Sequence, residues 1–481
     1  MLSTVTAIAM GLLPPTMGAL SLYGVFRRQC HQSWAAGLIA VGVGAYCGPV
    51  IMALMMSVAL NHGLNPLTVW MVIPAMAVVG LGWGLGSWSV TTAHPTPLKE
   101  SAPQPPTALV TGMNIALAAW LLLIVAWVCF EAAHRPVIAW DAVWGWGVHA
   151  NTQISLALGA SPALVDGTTH PVTVIQILTW GAYWAGQTPT KALLLSPWAG
   201  LYLGWVLVSL GLARRLGSHW TGALGVALVL ASAPMVESHA VLGGYADLWL
   251  ASGLVFGLAV VLGLSDTPSR LPAWAVGLAV IISAAWIKNN GLLYVAIVSL
   301  ALLMAGALTG RHWRWGLAGV GVLAGALAWV LLAGLEVELA GVRLVYLPDE
   351  GVVGVNNRVG AMSEAGLDAI VHNLWQAWWA SSSYGVVFGV ALMVLPVAAV
   401  RGLMRRDFAA VSLALAAIGF VLFFALAQSA SAYFYQFARP QFDTGLTRFS
   451  QALFWLAVMA GWATLQPPRG LSESASSIAR K

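Results

Sequence analysis

The chain has 481 residues, 59% of them hydrophobic and only 8% charged, with a formal net charge of +5 and a mean hydropathy of +0.83. Soluble domains carry roughly 25% charged residues, so these figures exclude an ordinary soluble protein and point to a polytopic membrane protein. The positive balance reports membrane topology, not nucleic-acid binding.

A helix needs about 20 apolar residues to cross a bilayer. Thirteen runs meet or approach that length: approximately 4–24, 34–60, 67–90, 108–130, 192–212, 219–234, 243–264, 272–287, 291–309, 315–335, 384–401, 408–427 and 446–465. The runs at 219–234 and 272–287 are short, so the expected count is 11–13. The runs are continuous, not alternating, and open strand edges are not tolerated in lipid. The expected fold is therefore an all-α polytopic membrane protein with interfacial helices in its outer loops.

The first run lacks a basic flank, so it reads as a span and not a cleavable leader. Its Pro14-Pro15 pair predicts a kink. Cys30, Cys47 and Cys129 lie in or beside spans without metal or redox spacing, and read as small apolar packing residues. The proline-rich segment 94–107 reads as a cytoplasmic linker. It separates an N-terminal three-span segment, 1–93, from a module over 108–465, and a polar tail follows at 466–481.

Lysine and arginine in the loops set the orientation. Arg27/Arg28, Lys99, Arg214/Arg215, Arg270, Arg311/Arg314, Arg401/Arg405/Arg406 and Arg469/Arg480/Lys481 fall on one side, fourteen of the 21 basic residues. Twelve of the sixteen acids fall on the other. The N-terminus is thus expected outside and the C-terminus in the cytoplasm. The long outer loops are then 131–191, 336–383 and 428–445. None is long enough for a large soluble domain, so any reaction takes place at the membrane surface, where a substrate with a lipid tail fits.

The first outer loop contains "WDAVWGWGVHANTQISLAL". Trp140, Trp144 and Val148 share one helical face, with Asp141, Gly145 and His149 one step round, as in a helix lying along the interface. The tryptophans read either as an aromatic belt or as a surface for a sugar. A carboxylate at that depth is costly unless it is used or paired, which makes Asp141 the leading functional candidate. His170-Pro171 opens a short apolar helix, with proline at a first-turn position; the histidine serves equally well as a cap. Glu237 lies in a loop, Asp247 enters a span, and Lys288 sits in the turn "WIKNNGLLYV", where it either acts or snorkels. Arg448, inside the start of the last span, needs an anionic partner.

The order "WDA" at 140–142, His170-Pro171, "GYADLWLA" at 244–251, "KNNG" at 288–291 and "TGLTR" at 444–448 resembles the GT-C superfamily of polytopic glycosyltransferases. Its bacterial members related to the protein-mannosyltransferase and aminoarabinose-transferase group are the most similar, and the match covers roughly 108–465. The chain departs from one branch of that group at His149, where the branch has lysine, and at Asn290, where it has glutamate. The resemblance implies a polyprenyl-phosphate-linked sugar donor, a lipid or glycan acceptor, and inverting transfer outside the cytoplasmic membrane of a bacterium. Asp141 would take the acceptor proton. Lys288, Arg448 and His170 would meet the charge on the leaving phosphate, with arginine suited to it by its planar fork. Glu237, Asp247 and His149 would bind substrate or hold the cations, and Trp140, Trp144 and Trp146 would stack on the sugar. No cofactor is expected, no metal ligands are assigned, and a divalent metal stays open. Two other readings compete: a non-catalytic accessory membrane subunit, and a lipid-linked-sugar transporter or flippase, which would want polar residues near the midplane of several spans.

Overall fold

The architecture is that of a computed structural model. It describes residues 2–62, 75–76, 78–80, 107–134, 150, 173–185, 191–217, 219–242, 245–265, 270–288, 290–310, isolated positions between 314 and 333, 334–339, 342–355, 358–380, 383–439 and 445–466. The described chain divides into two compact units, Met1–Val295 and Ala296–Lys481.

The first unit is helical. Its elements are α1 (Leu2–Val25), α2 (Arg27–Gln32), α3 (Trp34–Asn61), α4 (Ala108–His134), α5 (Thr173–Ala185), α6 (Lys191–Arg215), α7 (Trp220–Ala231), α8 (Pro234–Leu242), α9 (Ala246–Leu264), α10 (Arg270–Ser283), a 3-10 turn Ala284–Trp286, and the start of α11 (Gly291–Thr309), most of which belongs to the second unit. Helices form here because the apolar runs are long and every backbone polar group must be satisfied within the segment. α1 continues through Pro14 and Pro15, and its neighbour α3 meets it at small residues. A side chain at Gly48 would collide with the Pro14 carbonyl, and one at Gly18 with the Gly44 carbonyl. α3 then packs on α6, where a Cβ at Gly42 would stand 2.7 Å from the Gly204 carbonyl oxygen. The first spans therefore share a core with α6 and α9. α7 and α8 form a pair bent by 61°, with Pro234 opening the second piece. α5 is a 13-residue helix, buried over residues 173–180 and too short to cross about 30 Å of hydrocarbon at 1.5 Å per residue.

α9 and α10 form an antiparallel hairpin. A Cβ at Gly257 would lie 2.5 Å from the Gly277 carbonyl oxygen, and one at Gly277 2.5 Å from Val261 Cγ2. That close approach is what two glycines facing each other permit. It also fixes the ends: the start of α9 and the turn after α10 come out at the same end.

The second unit departs from a purely helical chain. Strands β1 (Leu335–Leu339), β2 (Val342–Leu347), β3 (Val352–Val355) and β4 (Arg358–Ala361) form an antiparallel sheet in the order β1-β2-β3-β4. Leu335 pairs with Tyr346, Leu344 with Val355 and Val352 with Ala361. Interfacial helices were expected over the loops assigned to the outer side, 336–383 among them; a sheet occupies the first part of this segment and a helix only its later part, Leu367–Trp375. The short stretches "VRLVYL" and "VVGV" are instead β-branched and punctuated by "PDEG" and "NN", which is turn chemistry; Gly351 supplies the positive φ, +65°. After the sheet, α12 (Leu367–Trp375) runs into a π-helical turn Gln376–Ala380. Then follow α13 (Val386–Arg405), α14 (Phe408–Ala430), α15 (Ala432–Phe437), α16 (Gly445–Phe449) and α17 (Gln451–Leu465). Asp407 caps α14, its carboxylate accepting from the amides of Ala409 and Ala410 at 3.0 and 3.2 Å.

Among the described residues six helices are long and apolar enough to cross a membrane, or seven if the bent pair α7–α8 is one span. The chain is thus a predominantly helical membrane protein.

Candidate functional site

The α9–α10 hairpin brings two of the sequence-selected residues together. Asp247 lies in the first turn of α9, where the helix dipole favours a carboxylate. Lys288 follows the 3-10 turn after α10. Its Nζ stands 2.6 Å from Asp247 Oδ1, with the side chains 15% and 2% exposed. Both hydrogen bonding and charge join them. Burying such a pair is costly in desolvation and gains little net stability, whereas removing one partner strands a buried charge. A pair of this kind at a helix end is therefore better explained by what it does than by the stability it adds.

The turn around Lys288 is held by backbone. The Gly291 amide donates to the Lys288 carbonyl at 2.8 Å and the Tyr294 amide to the Asn290 carbonyl at 3.2 Å. Gly291 sits against the Ala284 carbonyl so closely that no side chain fits, which explains the glycine of "KNNG". Tyr294, buried on α11, brings its hydroxyl near Asp247 and Asn290. The Asn290 side chain faces that hydroxyl as its hydrogen-bond partner.

Next to this end lies α8, and Glu237, expected in a loop, stands in its first turn, half-buried near the Tyr202 hydroxyl. His239, 3% exposed, has its Nδ1 2.8 Å from the Met235 carbonyl oxygen. That carbonyl accepts, so the proton is assigned to Nδ1, leaving Nε2 as the acceptor in the neutral ring. The ring packs on Tyr245, centroids 4.7 Å apart, and Trp198 Nε1 donates to the Tyr245 carbonyl at 3.0 Å. The tyrosine of the "YAD" stretch is thus fixed from two helices, two residues before Asp247. His239 and Tyr294 went unnoticed in the sequence. Neither carries a charge excess or motif, and each is distinguished only by the residues folded against it.

Arg448 belongs to the second unit, half-buried on α16. Around it the turn into α17 is pinned by polar contacts. Trp378 Nε1 donates to Ser450 Oγ at 2.8 Å, Ser450 Oγ donates to the Leu446 carbonyl at 2.7 Å, and the Tyr384 hydroxyl donates to the Thr447 carbonyl at 2.5 Å. On α12, Asn373 Nδ2 donates to Gln428 Oε1 of α14 at 3.0 Å.

Asp141, His149, His170, Trp140, Trp144 and Trp146 lie outside the described residues, as do the 94–107 segment, apart from Thr107, and Asp443. Helix α5 does begin at Thr173, just after His170-Pro171. Its Gln176 is 3% exposed and its amide oxygen has no hydrogen-bond partner among the described residues. Among the described residues, no three His, Cys, Asp or Glu side chains gather in a way that would hold a metal ion.

No protein-family model matches the chain, and neither a curated protein nor a solved structure matches it.

Proposed function

We propose that the chain is a membrane glycosyltransferase. It moves a sugar from a polyprenyl-phosphate donor to a lipid or glycan acceptor at the extracytoplasmic face, with inversion. The membrane is the bacterial cytoplasmic membrane, crossed about thirteen times with the N-terminus outside. The observation that carries the reading is the partly buried Lys288–Asp247 pair, 2.6 Å apart at the end of the α9–α10 hairpin. A donor whose leaving group is a phosphate needs fixed positive charge where negative charge develops. An ammonium oriented by a carboxylate supplies it without reorganisation. Asp141 takes the proton from the acceptor hydroxyl, and Arg448 contributes a second cation to the phosphate. Glu237, His149 and His170 contact substrate, and Trp140 and Trp144 stack on the sugar. Lipid tails of the substrates stay in the bilayer. No cofactor enters this chemistry.

Two experiments test it. The first is a transfer assay with polyprenyl-phosphate sugars on purified wild type and Asp141→Asn, with thermal stability followed alongside. The variant keeps the side chain's shape but cannot accept the proton, so the rate should fall by about 10²–10⁴ while the melting temperature holds. Full activity in Asp141→Asn would remove the base assignment, and Glu237→Gln is the control carboxylate. The second is impermeant thiol labelling of Thr168→Cys and Ser101→Cys in intact cells. Thr168→Cys should label from outside and Ser101→Cys should not; the reverse pattern would invert the topology and end the proposal.

A further inference from the structure

We infer that Tyr46, in the N-terminal spans, is a positioning residue for Lys288. The inference rests on reading the Lys288–Asp247 pair as the reactive centre. Tyr46 is fully buried on α3, far in sequence from the hairpin that carries the pair. Its hydroxyl lies 2.9 Å from Ser283 Oγ. Ser283 Oγ is also 2.7 Å from the Val280 carbonyl oxygen, to which it must donate. That commits the serine hydrogen, so the Tyr46 hydroxyl is the donor and Ser283 Oγ the acceptor. Ser283 is the last residue of α10, and the 3-10 turn that ends two residues before Lys288 starts immediately after it.

The contact exists because α9 leaves a gap for it. A Cβ at Gly253 would stand 2.5 Å from the Tyr46 hydroxyl oxygen and 3.2 Å from Ala284 Cβ. The phenol reaches Ser283 through the space that this glycine leaves open. On either side of the gap, Trp249 and Phe256 of α9 flank the Tyr46 ring, at centroid distances of 5.8 and 6.1 Å. Trp249 is two residues from Asp247 and is itself edge-on to Trp198, 5.7 Å away. Tyr46 therefore touches both arms that present the pair: the α9 arm through Trp249 and Gly253, and the α10 arm through Ser283. Phenylalanine would fill the same volume. A hydroxyl in an apolar interior is costly unless bonded, so the one made here sets the position of the turn and is not needed to fill the core.

The test reads Lys288 directly and needs no sugar transfer, so its failure is separable from failure of the glycosyltransferase reading. The full-length protein in detergent is acylated with an amine-reactive reagent across a range of pH. Modification of Lys288 is then quantified by peptide mass spectrometry, with Lys99, Lys191 and Lys481 as references. In wild type, Lys288 should react slowly. Tyr46→Phe should raise its rate severalfold at fixed pH and displace its pH profile, with the reference lysines unchanged. Gly253→Ala, which closes the gap, should do the same. Ser283→Ala should match Tyr46→Phe, and Ser283→Thr, which keeps the hydroxyl, should restore wild-type behaviour. Phe256→Leu is the packing control, expected to lower the melting temperature without altering the Lys288 profile. If Tyr46→Phe and Ser283→Ala both leave that profile at wild type, Tyr46 is a packing residue and the inference is overturned. If Tyr46→Phe fails to fold, the Ser283 pair decides alone.

Discussion

Helices α9 and α4 are equally plausible membrane spans by composition, with mean hydropathies of 2.0 and 2.3, yet 94% of the α9 apolar window is buried within the protein against 11% of the α4 window. Hydropathy records that a segment leaves water, and does not record what it meets there. The distinction lies in finer features. α9 carries Gly253 and Gly257 on faces that α3 and α10 approach closely, and an aspartate in its first turn that the turn after α10 answers with Lys288. α4 presents Leu109, Ile115 and Leu122 outward, each more than half exposed, and no glycine of it is crowded. A central helix in this protein is marked by small residues and one polar end, not by greater apolarity.

The sharpest way to break the comparison is to remove one member of the pair. Lys288→Met leaves the Asp247 carboxylate buried and uncompensated, and should lower unfolding stability in mixed micelles by about 3–5 kcal/mol. The double variant Lys288→Met/Asp247→Asn should recover much of that loss, because the stranded charge is gone. Additive losses in the double variant would mean that the two residues are not coupled, and α9 would then be central by packing alone.

How far the sequence disclosed this arrangement depends on the kind of signal. Helix positions were legible because apolar runs have only one solution in lipid: the run at 34–60 became Trp34–Asn61 and that at 408–427 became Phe408–Ala430. Asp247 and Lys288 stood out as rare charges at run ends, but nothing in a spacing of 41 residues says that they meet. That follows from the Gly257–Gly277 contact that sets the hairpin. The strands at 335–361 were hidden because each is four to six residues long, and a few alternating positions carry little periodicity. Tyr46 was invisible for a different reason. A tyrosine in the middle of an apolar run has no charge or motif to mark it, and only the partner across the interface gives its hydroxyl a purpose.

A second, smaller effect tests the glycine seam. Gly257→Ala places a methyl group 2.5 Å from the Gly277 carbonyl oxygen, which is backbone and cannot swing aside. The hairpin must open slightly, at about 1–3 kcal/mol by analogy with overpacked cores. Lys288 should also become more reactive, since the same seam aligns the two arms. Wild-type stability in Gly257→Ala would show that α9 and α10 are further apart than the structure has them. Below that comes α14, intermediate in kind with 56% of its window buried. Asp407→Ala removes the cap that accepts from two amides and should cost about 1 kcal/mol, while Asp407→Asn should cost less.

The smallest effect has the opposite sign and bears most directly on the contrast between the two helices. Gly112 lies in α4, where an added Cβ would meet nothing within 4 Å. Glycine in a helix costs conformational entropy without any compensating approach of a neighbour. Gly112→Ala should therefore stabilise the protein by up to about 1 kcal/mol, the difference in helix propensity between the two residues. The same substitution thus helps in α4 and harms in α9, at matched hydropathy and in the same unit. Melting curves of Gly112→Ala and Gly257→Ala, collected together in one detergent and again in lipid nanodiscs, decide the matter. A loss of stability in Gly112→Ala, comparable to that in Gly257→Ala, would mean that the outward face of α4 is covered by protein and not by lipid. The exposed Leu109–Ile115–Leu122 face would then be a contact surface, and α4 would be a second central helix awaiting its neighbour.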